Sequence, residues 1–495
     1  MATRFSLVTV LVACGVATTA CHRAPPRGRP AASGSTSTAE VATPSPRCPL
    51  GAVGADGLTG LERPLRDAVR DARFDEVVDL APAGEEMTGP GARPAPAPVA
   101  HRPSVDVAVI AFPEGCPPVF ANAMSSRDFA GVRLNRFDPA TLATSGVRYR
   151  RWDQARWDAT STVAPFADED DVVPPRAGEA AVDFVVPYPA SVFKLLVAVK
   201  LLQLVDRGAL GLEDRIALGA RTRALREWLG DMITWSDDES TRALMRRLHA
   251  LGEAARIDAL FGGLGLATLQ IHDTSPETGR NWQPGRIHLS AWDTARLLWL
   301  LDPEAPPPAW KRPDGSPVDG GFLTAASKRL LLGLLQEQAF HDVLSTTALC
   351  RLPRTTRGIP AFLPERWIGD DGRPLVGIGR GAAADSPGAD VRECNADAEV
   401  TFAHKTGLTL NFGSDAGIVR GIPGRARRHY VIAFFSNLGY RYTDADKAAV
   451  ADPCRDLGIC YTQRIAGLGA AIDAALAAVL ETEAGAVPPA APRGP

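Results

Sequence analysis

Three short stretches hold residue types suited to acyl transfer. Ser191-Val192-Phe193-Lys194 sets a hydroxyl and an amine three residues apart, which puts both on one face of a helix. A serine hydroxyl is a poor nucleophile until a neighbouring base takes its proton. A lysine held away from water gives up its own proton more readily, so Lys194 as a neutral amine could be that base. The alternative is a snorkelling or ion-paired lysine, although its almost wholly apolar flanks leave little room for an exposed face. With only six Lys in 495 residues, chance supplies about 0.25 Ser-x-x-Lys pairs but only about 0.03 Lys-Thr-Gly triplets, so Lys405-Thr406-Gly407 is the more telling signal. There Lys405 and Thr406 could hold a carboxylate and Gly407 could let a substrate backbone approach, unless the triplet is a plain edge strand. Ser236-Asp237-Asp238 lies between two helical patterns. It reads as an N-cap cluster starting a helix at 239, as a chemical element, or as both.

The surrounding pattern tells what would position these groups. Residues 191–205, SVFKLLVAVKLLQLV, are apolar on nearly every face, as expected of a helix at a domain centre. Pro189 suits its start. Helical periodicity also marks 58–80, 221–235, 239–251, 291–301, 327–340 and 462–480, whereas 105–112, 398–408, 413–422 and 429–437 read as strands. A strand, a helical block, antiparallel strands and a last helix, with no internal repeat, give an α+β fold class. No His-Glu-x-x-His or Cys-x-x-Cys occurs, so neither a metal site nor another cofactor is expected.

In this order and setting, Ser-x-x-Lys, Ser-Asp-x and Lys-Thr-Gly resemble the set found in class A β-lactamases and related penicillin-binding proteins. MITWSDDESTRALM looks like that family's Ser-Asp-Asn segment, and HKTGLTLNFGSDAGIV followed by YVIAFFSN looks like its last strands. The resemblance spans roughly residues 185–480, plus the strand at 105–112 and the helix before it. It implies an antiparallel sheet flanked by helices plus an all-helical subdomain. It also implies roles. Ser191 attacks the acyl carbon, Lys194 is a candidate base, and Ser236 relays a proton to the departing nitrogen. The amides of Ser191 and Leu408 form an oxyanion hole, while Lys405, Thr406 and Gly407 line the substrate's carboxylate subsite. Asp238 stands where the family has Asn; a carboxylate cannot donate a hydrogen bond, and its charge would raise the pKa of Lys194. Glu277-Thr-Gly-Arg-Asn281 has the spacing of the family's Glu and Asn that hold the deacylating water, though it also reads as a polar surface loop. The leading expectation is a serine hydrolase of the class A β-lactamase type. A D-Ala-D-Ala peptidase of the penicillin-binding kind is the alternative within the family, and a non-catalytic envelope protein is the alternative outside it. The partner implied is a small β-lactam or a peptidoglycan stem peptide, taken by a monomer.

The rest of the chain bears on location. Arg4 precedes an apolar run, Phe5 to Ala20, too short for a spanning helix. We expect a signal peptide at 1–20 and lipidation at Cys21, with Cys14 or an ordinary secretory signal as alternatives; a lipidated Cys21 would tether the protein to a membrane of the periplasm or cell envelope. A Pro/Ala/Ser-rich tether at 21–55, a hydrolase domain at 56–482 with insertions near 125–180 and 353–398, and a tail at 483–495 complete the expected layout. The six remaining cysteines allow 15 pairings, of which the local set 48–116, 350–394 and 454–460 is a guess. A net charge of −3 offers no case for a nucleic-acid partner.

Overall fold

The computed structural model describes residues 48–81, 95–159, 164–174, 181–377, 381–382, 388–450 and 453–481. The expected signal peptide at 1–20, Cys14, Cys21, most of the expected tether and residues 483–495 lie outside the described residues.

Six strands form the main sheet: β1 (Val105–Ala111), β2 (Val119–Ser126), β3 (Phe129–Leu134), β4 (Val400–Leu408), β5 (Gly413–Gly421) and β6 (His429–Ser436). All neighbours are antiparallel, in the order β4-β5-β6-β1-β2-β3. The principal helices are α1 (Glu62–Asp71), α2 (Lys194–Asp206), α3 (Leu225–Thr234), α4 (Asp238–Ala250), α5 (Ala291–Leu301), α6 (Ala325–Gln336) and α7 (Arg464–Leu480). Because side chains alternate across a strand, the sheet feeds two cores. Val105, Val107 and Val109 pack with α1 and α7, while Ala108 and Ile110 pack with the helical block around α2. Both faces are covered, which is why the central strands read as almost continuous apolar runs. Helix α2 is buried at every position from Lys194 to Leu204.

Three local expectations change. Residues 221–235 are not one helix: Arg221–Ala224 pairs with Arg215–Leu218 as a hairpin, turned at Gly219 with φ +59°, and α3 starts only at Leu225. The helix of 58–80 stops at Asp71 because Arg73 takes a left-handed φ of 49°, after which Val78–Asp79 joins a small sheet. The insertion expected near 125–180 contains regular structure. It supplies β3 to the main sheet, and Val147–Arg150 pairs in parallel with Val182–Val185. Its polar composition misleads because the charges satisfy one another: buried Arg150 bridges Asp171 at 2.8 Å and Asp183 at 2.6 Å. The cysteines pair as 48–116, 350–394 and 454–460.

Candidate active site

Ser191 sits in a single 3-10 turn, Ala190–Phe193, that leads directly into α2 at Lys194. Ala190 takes φ +46°, a conformation a β-branched residue would resist. The turn is fastened from the sheet side: Ser414 Oγ of β5 lies 2.6 Å from Pro189 O and 3.1 Å from Gly407 O. Edge strand β4 therefore runs hard against the turn. A Cβ on Gly407 would fall 2.5 Å from Pro189 O and 2.8 Å from Ser191 N. The close approach that requires glycine is to the Ser191 turn itself, a reason nearer to hand than the substrate backbone expected from the sequence.

Ser236 draws two lysines together. It holds φ +66° between α3 and α4, a conformation costing a non-glycine residue about 1–3 kcal/mol and kept only where the surroundings enforce it. Its Oγ accepts from Lys194 Nζ at 3.1 Å and from Lys405 Nζ at 3.0 Å. With both lone pairs engaged, its own proton is left to be given elsewhere. Lys194 Nζ also donates to Ser236 O and to Asp238 Oδ1, each at 2.6 Å. Three acceptors around one nitrogen describe an ammonium, and Ser191 Oγ is not among them. Burial pushes Lys194 below the ordinary lysine range, and the charge of Asp238 opposes that shift. The contacts decide the resting state: Lys194 is held as a cation by Asp238, while burial keeps its deprotonation within reach. Lys405 is also fully buried and pushed well down by burial, then by the neighbouring charge of Lys194.

The Ser-Asp-Asp cluster caps a helix and also contacts Lys194. Asp237 caps α4, accepting from Ser240 N at 2.7 Å. Asp238, the first residue of that helix, turns to Lys194 with its side chain 66% exposed. Thr406 is less simply placed. Alternation along β4 sets it on the face opposite Lys405, across from Asp415 of β5. Leu408 ends β4 one residue beyond the contact of Gly407 with the Ser191 amide.

No hydrogen bond or ion pair joins Glu277 or Asn281 to Ser191, Lys194, Ser236 or Lys405 among the described residues. Arg242 of α4 donates to Thr278 O at 3.1 Å, Arg280 pairs with Glu239, and Gly279 (φ +67°) lies so near α4 that a Cβ would sit 2.4 Å from Arg242 O. These contacts clamp the 275–280 turn onto α4 and leave Glu277 exposed, with no hydrogen bond or ion pair among the described residues. Asn281 donates its side-chain amide to Asp273 O at 2.5 Å. The chain reaches the site at the next residue, Trp282, whose carbonyl accepts from Tyr188 Oη at 3.1 Å and whose ring stands 5.5 Å from Phe193. Tyr188, Trp282 and Ser414 were not found from sequence. Only Ser414 left a signal, since a tight β4–β5 hairpin must set it opposite Gly407.

The sequence model of the β-lactamase enzyme family matches residues 185–353, a stretch that includes Ser191, Lys194, Ser236, Asp238 and Glu277 and ends before Lys405. No curated protein matches the chain. Among solved structures, a mutant of PBP-A in an acyl-enzyme complex with penicillin G is 19% identical, covering 62% of this chain and 88% of that one at a TM-score of 0.36. A β-lactamase from Chitinophaga pinensis is 19% identical, covering 58% and 84% at a TM-score of 0.33. A class A β-lactamase representative from Bacteroides cellulosilyticus is 15% identical, covering 77% and 93% at 0.36.

Proposed function

We propose that the segment matching the β-lactamase enzyme family, joined by the strand carrying Lys405, is an acylating centre that opens β-lactam amides on Ser191. The observation that carries this is the Ser236 hydroxyl held between Lys194 and Lys405, beside the Ser191 turn. In the reaction Ser191 Oγ attacks the lactam carbonyl carbon and its proton passes to Lys194, which must first have lost one. The lactam C–N bond breaks, and the nitrogen takes a proton from Ser236, which is resupplied by a neighbouring lysine. Amides at Ser191 and Leu408 stabilise the oxyanion, and Lys405 draws in the substrate carboxylate. Ser191→Ala is expected to cut labelling by fluorescent penicillin by ~10⁴-fold or more, the scale on which nucleophile removal acts. Labelling that survives the substitution would sink the assignment and favour a non-catalytic envelope binder.

The fate of the acyl-enzyme separates two readings. The sequence favours a β-lactamase in which Glu277 and Asn281 hold the hydrolytic water. The exposed, unengaged position of Glu277 favours the second, a D-Ala-D-Ala peptidase of the penicillin-binding kind whose β-lactam adduct persists. With a chromogenic cephalosporin we expect a stoichiometric burst followed by stalling, and Glu277→Gln should change the slow rate by less than about twofold, since a group that does not touch the reacting atoms contributes little. Steady turnover lost on that substitution would restore the β-lactamase reading.

Export belongs to the same proposal. It is supported by the apolar leader and by three disulfides, which persist in oxidising compartments. Mass spectrometry of the mature N-terminus tests the anchor: diacylated Cys21 supports it, and an unmodified cysteine removes it.

A further inference from the structure

The hairpin arm Arg215–Leu218 packs against α4, and between them lies a cleft of about 390 Å³. That size falls within the range of about 300–1,000 Å³ common for small-molecule sites. Ala243, Arg246, Arg247 and Ala250 follow one another at helical spacing, so they share the face of α4 that lines the cleft. The alanines leave the room and the arginines wall it. Arg215 enters from the hairpin, and His249 and Pro276 complete the lining. His249 is fastened by Thr274 Oγ1, 2.8 Å from its Nε2, which leaves Nδ1 for a ligand.

Three arginines and a histidine meet here, and no carboxylate lines the cleft. The arginines just outside it are neutralised. Arg223 meets Asp231 at 2.6 Å, and Arg242 and Arg280 meet Glu239 at 2.7 and 3.1 Å. No carboxylate pairs with Arg246 or Arg247 among the described residues. The Nε of Arg247 is also buried with no hydrogen-bond partner, an unmet donor of the kind that a ligand's acceptor satisfies. Arg215 is only partly engaged: it donates to Thr222 O at 2.6 Å and stands 3.7 Å from Glu227, with its side chain 62% exposed. Like charges gathered in a concavity repel one another and draw in an anion, even on a chain of net charge −3. Guanidinium forks match the paired oxygens of a phosphate group, which a monatomic anion does not offer.

We propose that Arg215, Arg246, Arg247 and His249 form a binding site for a phosphate group, carried either by the free ion or by a phosphomonoester. The site neither uses nor depends on acylation at Ser191.

Isothermal titration of the full chain with inorganic phosphate and with glycerol 3-phosphate, at fixed ionic strength in chloride, tests this. We expect saturable one-to-one binding of at least one probe. Comparable affinities, or a preference for the ester, mean that one phosphate oxygen faces solvent and that a phosphomonoester is the source; binding of inorganic phosphate alone assigns the free ion. Arg246→Gln and Arg247→Gln should each weaken binding by about tenfold or more, the scale of a lost charge-assisted contact. Arg70→Gln, on α1 across the sheet, should leave it within about twofold, because charges beyond a Debye length are screened. Absence of saturable binding by either probe overturns the proposal. So does binding that both cleft variants leave within about twofold, or that Arg70→Gln weakens as much as they do. Arg246 is exposed, so if thermal melting shows Arg247→Gln unfolded, Arg246→Gln decides alone.

Discussion

Asp238→Asn is expected to speed acylation of Ser191 by penicillin roughly tenfold on the acid side of its pH profile, the effect of lowering a base's pKa by about one unit. Lys194 must offer a lone pair to take the Ser191 proton, yet its nitrogen faces three acceptors, with Asp238 Oδ1 at 2.6 Å. Burial lowers the pKa of Lys194 and the Asp238 charge raises it. Removing that charge leaves burial less opposed, so the neutral amine appears at lower pH and the acid limb slides down with it. The asparagine amide can still accept from Lys194, and it adds a donor toward a substrate amide that a carboxylate lacks. Stopped-flow acylation across pH 5 to 8 decides the matter. An unmoved acid limb refutes Lys194 as the base under Asp238's control. Loss of acylation would mean instead that Asp238 itself must take the proton from Lys194.

Gly407→Ala should be nearly as damaging from the other side of the site. The new methyl would lie 2.5 Å from Pro189 O, 2.6 Å from Ser414 Oγ and 2.8 Å from Ser191 N. Two of these are backbone atoms, and neither segment can retreat: α2 is buried along its length, and β4 is paired with β5 from Val400 to Leu408. Overpacking of this kind costs about 1–3 kcal/mol. A displacement of the nucleophile near 1 Å is expected to slow acylation by about 10²-fold. Thermal melting and labelling, measured together, test both parts; a variant with native melting and native labelling would show that the turn yields freely.

Chemistry and fold were legible to different depths. The spacing of Ser191 and Lys194 and the run Lys405-Thr406-Gly407 were readable because the backbone of a helix or strand dictates how neighbours three or two apart face one another. The apolar run of β1 and the all-round apolar character of α2 likewise revealed an α+β domain with α2 at its centre. Arg221–Ala224 was misread, because four residues cannot distinguish a hairpin arm from a first helical turn until a partner strand is known. The ion pairs of Arg150 hid ordered structure behind a polar composition.

What sequence by itself determined was the inventory: a hydroxyl, two lysines and a glycine, each on an element of known period. Only the tertiary structure decided which of them meet. Ser236 joins Lys194 to Lys405 across separations of 42 and 169 residues, whereas Glu277, at a suggestive spacing from Asn281, is carried onto the surface of α4 by Arg242, Gly279 and Arg280. Local geometry follows from a few torsions and survives translation from sequence. Which distant segment settles against which follows from packing and charge over the whole chain. For that reason Trp282, silent as a sequence feature, meets Tyr188 and Phe193 beside the Ser191 turn, while the Glu277 turn is held by α4.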